Sequence, residues 1–363
     1  MLFDVVAAEQ GGRSGILNIG GFEIKTPTNF LTQTDITSIK KFYPITRTAF
    51  SPLRNLGVQV NWITKDLTVQ LRDDSKFEYF KEALNNKILD ESVNTRIIHF
   101  EFPRSITSLN QMTLEKLLKA QVESNAQVLE IPNFFNNQNY SQALISGIKY
   151  FKRYGGGRPI MAVACKKSDF DLINKKMNWI DCVGVNLREQ RVIKRLLYGV
   201  RDLLRKNKKK KVWVHSFSTP RSYKLIERDG TPGIGINRFG IDTISFPVKL
   251  GRGAPSKKTA MERHRYYNPT DYGTYPWGFM AELNEGRDLY LSDYCECPFC
   301  GRYTMIDIIE NYSQEPYFTR AHEAVAYNRE SQKLRELIND PRESALQYIE
   351  SKYYAYEFFS KLV

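Results

Sequence analysis

Three cysteines fall within six residues, in Cys295-Glu-Cys297-Pro-Phe-Cys300, and Pro298 and Gly301 favour the tight turn that lets their thiolates converge. Cysteines this close do not read as a disulfide framework; in a cytosolic chain they read as metal ligands. A tetrahedral site needs a fourth donor. His322 lies 22 residues beyond Cys300 at the start of a helical stretch, while Asp293 and Glu296 are nearer but harder donors. Three thiolates and an imidazole make a closed Cys3His site for one structural Zn2+, with no coordination position left for catalysis.

A second group of residues could hold an anion. Lys249, Arg252, Lys257, Lys258, Arg263, His264 and Arg265 crowd together, interleaved with Tyr266, Tyr267, Tyr272, Tyr275 and Trp277. Cations for phosphates and rings for bases are what a nucleic-acid track requires. The whole chain supports this reading: 53 Lys+Arg against 40 Asp+Glu give a formal charge of +13, and a basic surplus favours nucleic acid as partner. Lys206-Asn-Lys-Lys-Lys-Lys211 reads instead as a solvated helix end. His215, after Val212-Trp-Val214, either lines a pocket or is a satisfied core histidine.

These residues need a scaffold. The chain has 363 residues, 42% hydrophobic and 26% charged, which excludes a largely disordered protein. The longest apolar run, Ile160–Cys165, is far below the roughly 20 residues of a membrane helix. Met1–Gly12 has neither a basic nor an apolar leader region, so a cytoplasmic location without membrane contact is expected. Gly20-Gly21 between Gly15–Ile19 and Phe22–Lys25 predicts a hairpin, ended by Thr26-Pro27. Strands are then expected at 95–100, 127–131, 160–164, 180–185, 212–215 and 240–246, with helices at 113–122, 141–150, 169–177 and 188–204 and one capped by Thr219 through Glu227. The spacing of about 20–35 residues is that of repeated βα units, and no GxGxxG follows the first strand. The expectation is an α/β fold, a (β/α)8 TIM barrel over residues 1–285 with its N-terminal β-hairpin. Residues 286–363 form a zinc-binding subdomain with a helical tail at 320–338 and 342–362.

With these residues in hand the sequence resembles the guanine transglycosylases, which insert 7-deazaguanine bases into nucleic acid. The likeness rests on the Cys-x-Cys-x2-Cys…His site, on Phe3-Asp-Val-Val…Gly15-Ile-Leu…Phe22-Glu-Ile-Lys-Thr-Pro27, on Met112–Asn133, and on Pro247-Val-Lys-Leu-Gly-Arg-Gly253. In that family one aspartate attacks C1′ of a guanosine and expels guanine, the incoming base displaces the aspartate, and a second aspartate handles protons. The resemblance implies Asp242 as nucleophile, in Phe239-Gly-Ile-Asp-Thr-Ile-Ser-Phe-Pro247; a rival register places Ser245 there. It implies Asp74 as the second carboxylate, with Asp73 as rival and a plain helix N-cap as the alternative. Asn133 would read the purine edge and Gly184 would touch the 7-substituent, unless they serve only a polar loop and a close strand contact. Lys249 and Arg252 would hold phosphates.

The family's Asp-Ser-Gly-Gly-Phe-Gln and Gly-Gly-Leu-Ala-Val-Gly are missing, and the chain ends after its helical tail. That combination resembles the divergent DNA-guanine transglycosylase branch, so DNA is favoured over the tRNA of queuosine and archaeosine enzymes. The incoming base would be a 7-deazaguanine such as 7-cyano-7-deazaguanine. A homodimer or an accessory subunit stays open, and so does a rival role as a non-catalytic nucleic-acid-binding partner. The orientation of Asp242 discriminates: into the barrel mouth for an enzyme, away from it for the partner.

Overall fold

The computed structural model describes residues 2–9, 12–42, 56–86, 95–124, 126–221, 223–224, 229–230, 233–248, 265–283, 285, 287–310, 315–340 and 342–360. Eight parallel strands form one sheet: β4 (Thr28–Thr32), β5 (Leu56–Trp62), β6 (Thr95–Glu101), β7 (Leu129–Ile131), β8 (Ile160–Ala164), β9 (Cys182–Asn186), β10 (Trp213–Phe217) and β13 (Thr243–Ser245). Their order is β6-β5-β4-β13-β10-β9-β8-β7. The edge strands meet through a parallel bridge between Ile97 and Val128 and a hydrogen bond from Gln127 N to Arg96 O (2.9 Å), so the sheet curls into a barrel-like closure.

Strand alternation sorts the side chains. Phe30, Val58, Val60, Ile97, Val128, Met161, Val163, Trp213 and Phe217 form one buried cluster inside the sheet. Leu31, Ile98, Phe100, Leu129, Ala162, Val183, Val214 and Ile244 belong to a second, facing the helices. Helices α1 (Gln33–Lys40), α2 (Lys65–Gln70), α3 (Asp74–Asn86), α4 (Gln111–Glu123), α5 (Tyr140–Tyr154), α6 (Lys167–Asn174) and α7 (Ile193–Lys206) follow successive strands. Of the helix expected from Thr219 to Glu227, the described residues 219–221 and 223–224 are not helical. Thr219 N instead donates to Ser245 O (2.9 Å), and Tyr223-Lys224 (β11) pairs with Asp229-Gly230 (β12). Two barrel strands escaped the sequence pattern, β4 and β5, because Thr28, Asn29, Thr32, Gln59 and Asn61 are buried polar residues that mask the apolar run.

Strands β1 (Phe3–Glu9), β2 (Gly12–Ile19) and β3 (Phe22–Thr26) make an antiparallel sheet. The predicted hairpin is its β2–β3 half, turned by Gly20 and Gly21 at φ of +58° and +82°. Phe3, Leu17, Ile19 and Ile24 pack into the interior cluster, so this sheet plugs the end where the barrel strands begin. A charged clamp fixes the plug. Arg13 of β2 donates from Nε to Asp242 Oδ1 (2.7 Å) and from Nη2 to Asp242 Oδ2 (2.5 Å) and Val212 O (2.8 Å).

The C-terminal region completes the outer layer. Its long helix α10 (Glu315–Asn339), which follows α8 (Trp277–Leu283) and α9 (Met305–Ile309), lies against β4 and α1. Arg335 Nη1 donates to Pro27 O (2.5 Å), Asn29 Nδ2 to Ala324 O (3.5 Å) and Ser14 Oγ to Asn339 Oδ1 (2.7 Å). Beyond it the expected single helix at 342–362 is two, α11 (Ala345–Ser351) and α12 (Tyr353–Ser360). No described helix is long and apolar enough to cross a membrane.

Arg13→Ala removes one partner of a pair whose side chains are 13% and 0% exposed. Leaving a buried carboxyl unmatched costs about 3–5 kcal/mol. Urea denaturation should show a loss of that size; a change below about 1 kcal/mol would mean that the clamp does not hold the plug.

Candidate functional site

The clamp settles where Asp242 points. It is fully buried just before β13, at the end where the barrel strands begin, and Val214 N also donates to its Oδ2 (2.7 Å). Burial pushes its carboxyl above the usual range, with Arg13 pulling against that. The structure therefore places the expected nucleophile on the plug side, away from the mouth. The rival Ser245 is also enclosed, 1% exposed, between His215 Nε2 (3.1 Å) and Ser216 O (3.3 Å).

Several other expected site residues make contacts within the protein or lie on its outer surface. Asp73 caps α3, its Oδ1 accepting from Ser75 N (2.8 Å) and Lys76 N (3.2 Å). Asp74 opens that helix with a 91% exposed side chain paired to Lys116 of α4, on the outer surface. Asn133 spends its side-chain hydrogen bonds within the protein, tying its loop to β8 and α6: Nδ2 donates to Val163 O (2.8 Å) and Asp169 Oδ2 (2.9 Å), and Oδ1 accepts from Phe134 N (2.9 Å) and Asn137 Nδ2 (3.1 Å). Gly184 faces the interior, where an added Cβ would meet Phe217 at 2.7 Å and Val163 at 3.0 Å. It is a close contact that lets the Phe217 ring fill the barrel. His215 is wholly buried and discharged by that burial, with Nδ1 2.8 Å from Thr243 Oγ1. Lys249 and Arg252 lie outside the described residues, as do Lys257, Lys258, Arg263 and His264. Tyr266, Tyr267, Tyr272, Tyr275 and Trp277 are buried, so they build core rather than stack on bases.

What does converge at the mouth is a set of residues the sequence reading did not single out. β6 alternates Ile97, His99 and Glu101 toward the interior, and Glu101 stands at its C-terminal end, where barrels place reactive groups. Ser218 Oγ donates to Glu101 Oε1 (2.7 Å), from a residue at φ of +51°, and Asn186 Nδ2 (3.3 Å) and Arg188 Nη1 (3.4 Å) add to it. Below it His99 stands between two glutamates, with Nε2 3.3 Å from Glu101 Oε1 and Nδ1 2.7 Å from Glu130 Oε2. Its ring stacks on Phe217 at 3.9 Å.

The three groups are driven apart in proton affinity. Burial alone would discharge His99, but the Glu130 charge and the hydrogen bonds to both glutamates outweigh it and push its pKa up to about 10. Burial lifts Glu130 above the usual carboxylate range. Burial would lift Glu101 as well, yet His99, Ser218 and Arg188 hold it below that range. An ionised carboxylate beside a protonated store is the division expected of an acid–base site. Glu101 opens into a cleft it shares with Phe102, Phe134, Cys165, Asn186 and Glu189. With about 30 Å³ of open space the cleft admits a water; a purine ring would need its walls to move.

The second chemical cluster matches its expectation closely. Cys295, Cys297, Cys300 and His322 are all buried, with one donor atom from each within 4.8 Å of the others. His322 Nδ1 stands 3.3 Å from Cys297 Sγ and 3.4 Å from Cys300 Sγ, near the roughly 3.5 Å edge of a tetrahedron with metal–sulfur and metal–nitrogen bonds of usual length. His322 Nε2 is 2.7 Å from Tyr267 O, which takes the ring proton on that side and leaves Nδ1 free to coordinate. The four residues could hold one metal ion. They tie the 295–300 loop to α10 and, through Tyr267, to β14 (Arg265–Asn268).

Cys297→Ala should lower bound metal from about one ion per chain and reduce the melting temperature, because metal binding free energy is folding free energy. Full metal content at unchanged stability would remove the site. The His99 ring gives a separate test. Its pKa is raised from 6.5 to about 10 on folding, so its contribution to stability is complete below about pH 6.5 and is lost as pH rises toward 10. Denaturation midpoints at pH 7 and pH 9.5 should differ less in His99→Gln than in the wild type.

No family model and no curated protein matches this chain.

Proposed function

We propose that the chain is a (β/α)8 barrel of the guanine transglycosylase kind, exchanging guanine in nucleic acid for a 7-deazaguanine at the barrel mouth. The observation that carries this is Glu101, an ionised carboxylate at a strand's C-terminal end, backed by the His99–Glu130 proton store. An oxocarbenium-like centre wants a carboxylate beneath it and a proton carrier beside the leaving group. Glu101 takes the first role in place of Asp242. Glu189, the other carboxylate lining the cleft and paired with Arg104, takes the second in place of Asp74. Phe102 and Phe134, packed against each other with ring centroids 4.7 Å apart, form the apolar side of the cleft. DNA is preferred to tRNA on the resemblance alone, and the Cys3His site would carry a structural Zn2+.

A second reading rests on Asp242. Its carboxylate points away from the mouth into the Arg13 clamp, the orientation that favours a non-catalytic nucleic-acid-binding partner of a catalytic chain.

Incubation with radiolabelled guanine and either duplex DNA or tRNA separates the two. Label should enter DNA. Glu101→Gln should abolish incorporation by several orders of magnitude, and Glu189→Gln should lower it about 10²–10⁴-fold, as loss of a proton carrier does. Normal exchange by Glu101→Gln would overturn the site. No label in either polymer, with nucleic-acid binding intact, would leave the partner reading.

A further inference from the structure

In a parallel sheet flanked by helices, each helix returns so that its C-terminal end lies where the next strand begins. On this protein the ends of α5, α6 and α7 therefore share the plug face, opposite the mouth. Direct contacts join them. Asn207 Nδ2 donates to Asn174 Oδ1 (2.7 Å), linking the ends of α7 and α6. Lys210 Nζ donates to Ile180 O and Met177 O, and the Lys152 ammonium of α5 lies over the Trp179 ring.

The surface so assembled is strongly cationic. Lys210 is tied to those carbonyls and Lys211 to Asp4, so two members of the lysine run are structural. Arg205 and Lys206 have carboxylates nearby, Asp202 at 3.3 Å and Asp171 at 3.9 Å. Lys175, Lys176, Lys208 and Lys209 have no carboxylate of the described residues within ion-pair reach, and all but the half-buried Lys176 are exposed. A helix C-terminus favours a nearby cation by about 0.3–1 kcal/mol, but these four lie beyond the last turns and repel one another. Toward β2 the same face runs into a cavity of about 460 Å³ whose lining includes Arg201, Arg205 and Arg238 against Glu9 and Asp202. The exposed rings on this face, Trp179 and Tyr154, each carry a cation over them, Lys152 and Arg153. The surface therefore offers charge rather than stacking platforms, which suits a double-helical backbone better than unpaired bases.

We propose that this plug face is a docking surface for the phosphate backbone of a nucleic-acid duplex, with Lys175, Lys176, Lys208 and Lys209 as its central cations. The surface goes beyond the exchange reading, since it lies across the barrel from Glu101 and does not require that chemistry.

Fluorescence anisotropy with a labelled DNA duplex and an RNA duplex of the same sequence tests this on the full chain. Each phosphate contact contributes roughly 0.9 to the slope of log affinity against log salt. Lys175→Ala/Lys176→Ala and Lys208→Ala/Lys209→Ala should each reduce the loss of affinity between about 50 and 200 mM salt by roughly tenfold. Lys65→Ala/Lys76→Ala, an equal charge change on exposed residues elsewhere, should behave as wild type. Binding of one duplex type and not the other identifies the polymer and supports the surface. Wild-type affinity and salt slope in both plug-face variants, or an equal effect of the Lys65/Lys76 control, would overturn it. Failure of guanine exchange with this salt dependence intact would overturn only the exchange reading.

Discussion

A carboxylate inside a nearly closed sheet has to be matched, and most of this structure follows from how three of them are. Asp242 is met from below by Arg13, Glu130 from beside by His99, and Glu101 by His99 together with Ser218, Asn186 and Arg188. The interior is otherwise filled by Phe30, Trp213, Phe217 and β-branched residues, where an unmatched charge would cost several kcal/mol. Matching Asp242 requires a guanidinium from outside the barrel, so β2 must sit against the strand beginnings and the N-terminal sheet becomes the plug. Matching Glu101 requires groups from the ends of β9 and β10, which gathers polar side chains at the mouth.

The metal cluster solves a different problem. A barrel of eight strands needs its last seam covered, and here the cover is α10, far along the chain from β13. The described residues between them form only short elements: strands β14 and β15 (Gly273–Pro276), α8 and α9. Placing His322 in the second turn of α10 and its sulfur partners in the 295–300 loop would let one ion tie that region to the helix. Tyr266, stacked on His322 at 4.6 Å with its hydroxyl 3.3 Å from Cys300 Sγ, belongs to the same knot. Aromatic residues that read as a nucleic-acid track are the packing around this staple.

The two ends of the barrel thus differ in kind. The mouth cleft is narrow, with the Glu101 carboxylate backed by a buried histidine and glutamate. The opposite face is broad and cationic because the helix ends that converge there carry the lysines. Net charge read over the whole chain points to a polyanion, but it is the parallel topology that gathers those cations on the plug side.

The amino-acid sequence determined by itself whatever depended on local spacing. The glycine turn at Gly20-Gly21, the βα alternation from residue 95 and the Cys3His cluster were legible because periodicity and ligand spacing are short-range properties. The α6 strand neighbour at 160–164 was read to the residue, since five consecutive buried apolar positions leave no other choice. What only the tertiary structure decided was which charged groups meet. Asp242 and Arg13 are 229 positions apart, and nothing near either one announces the other. The same holds for Glu101, whose partners Asn186, Arg188 and Ser218 come from later strand ends. It passed unnoticed because a lone Glu before Phe-Pro carries no motif, whereas Asp74 and Asn133 stood in motif-like settings and proved to be a surface pair and a loop tie. A side chain's direction at a strand end depends on register and on closure of the sheet, and both are fixed by contacts between distant segments rather than by neighbours in the chain.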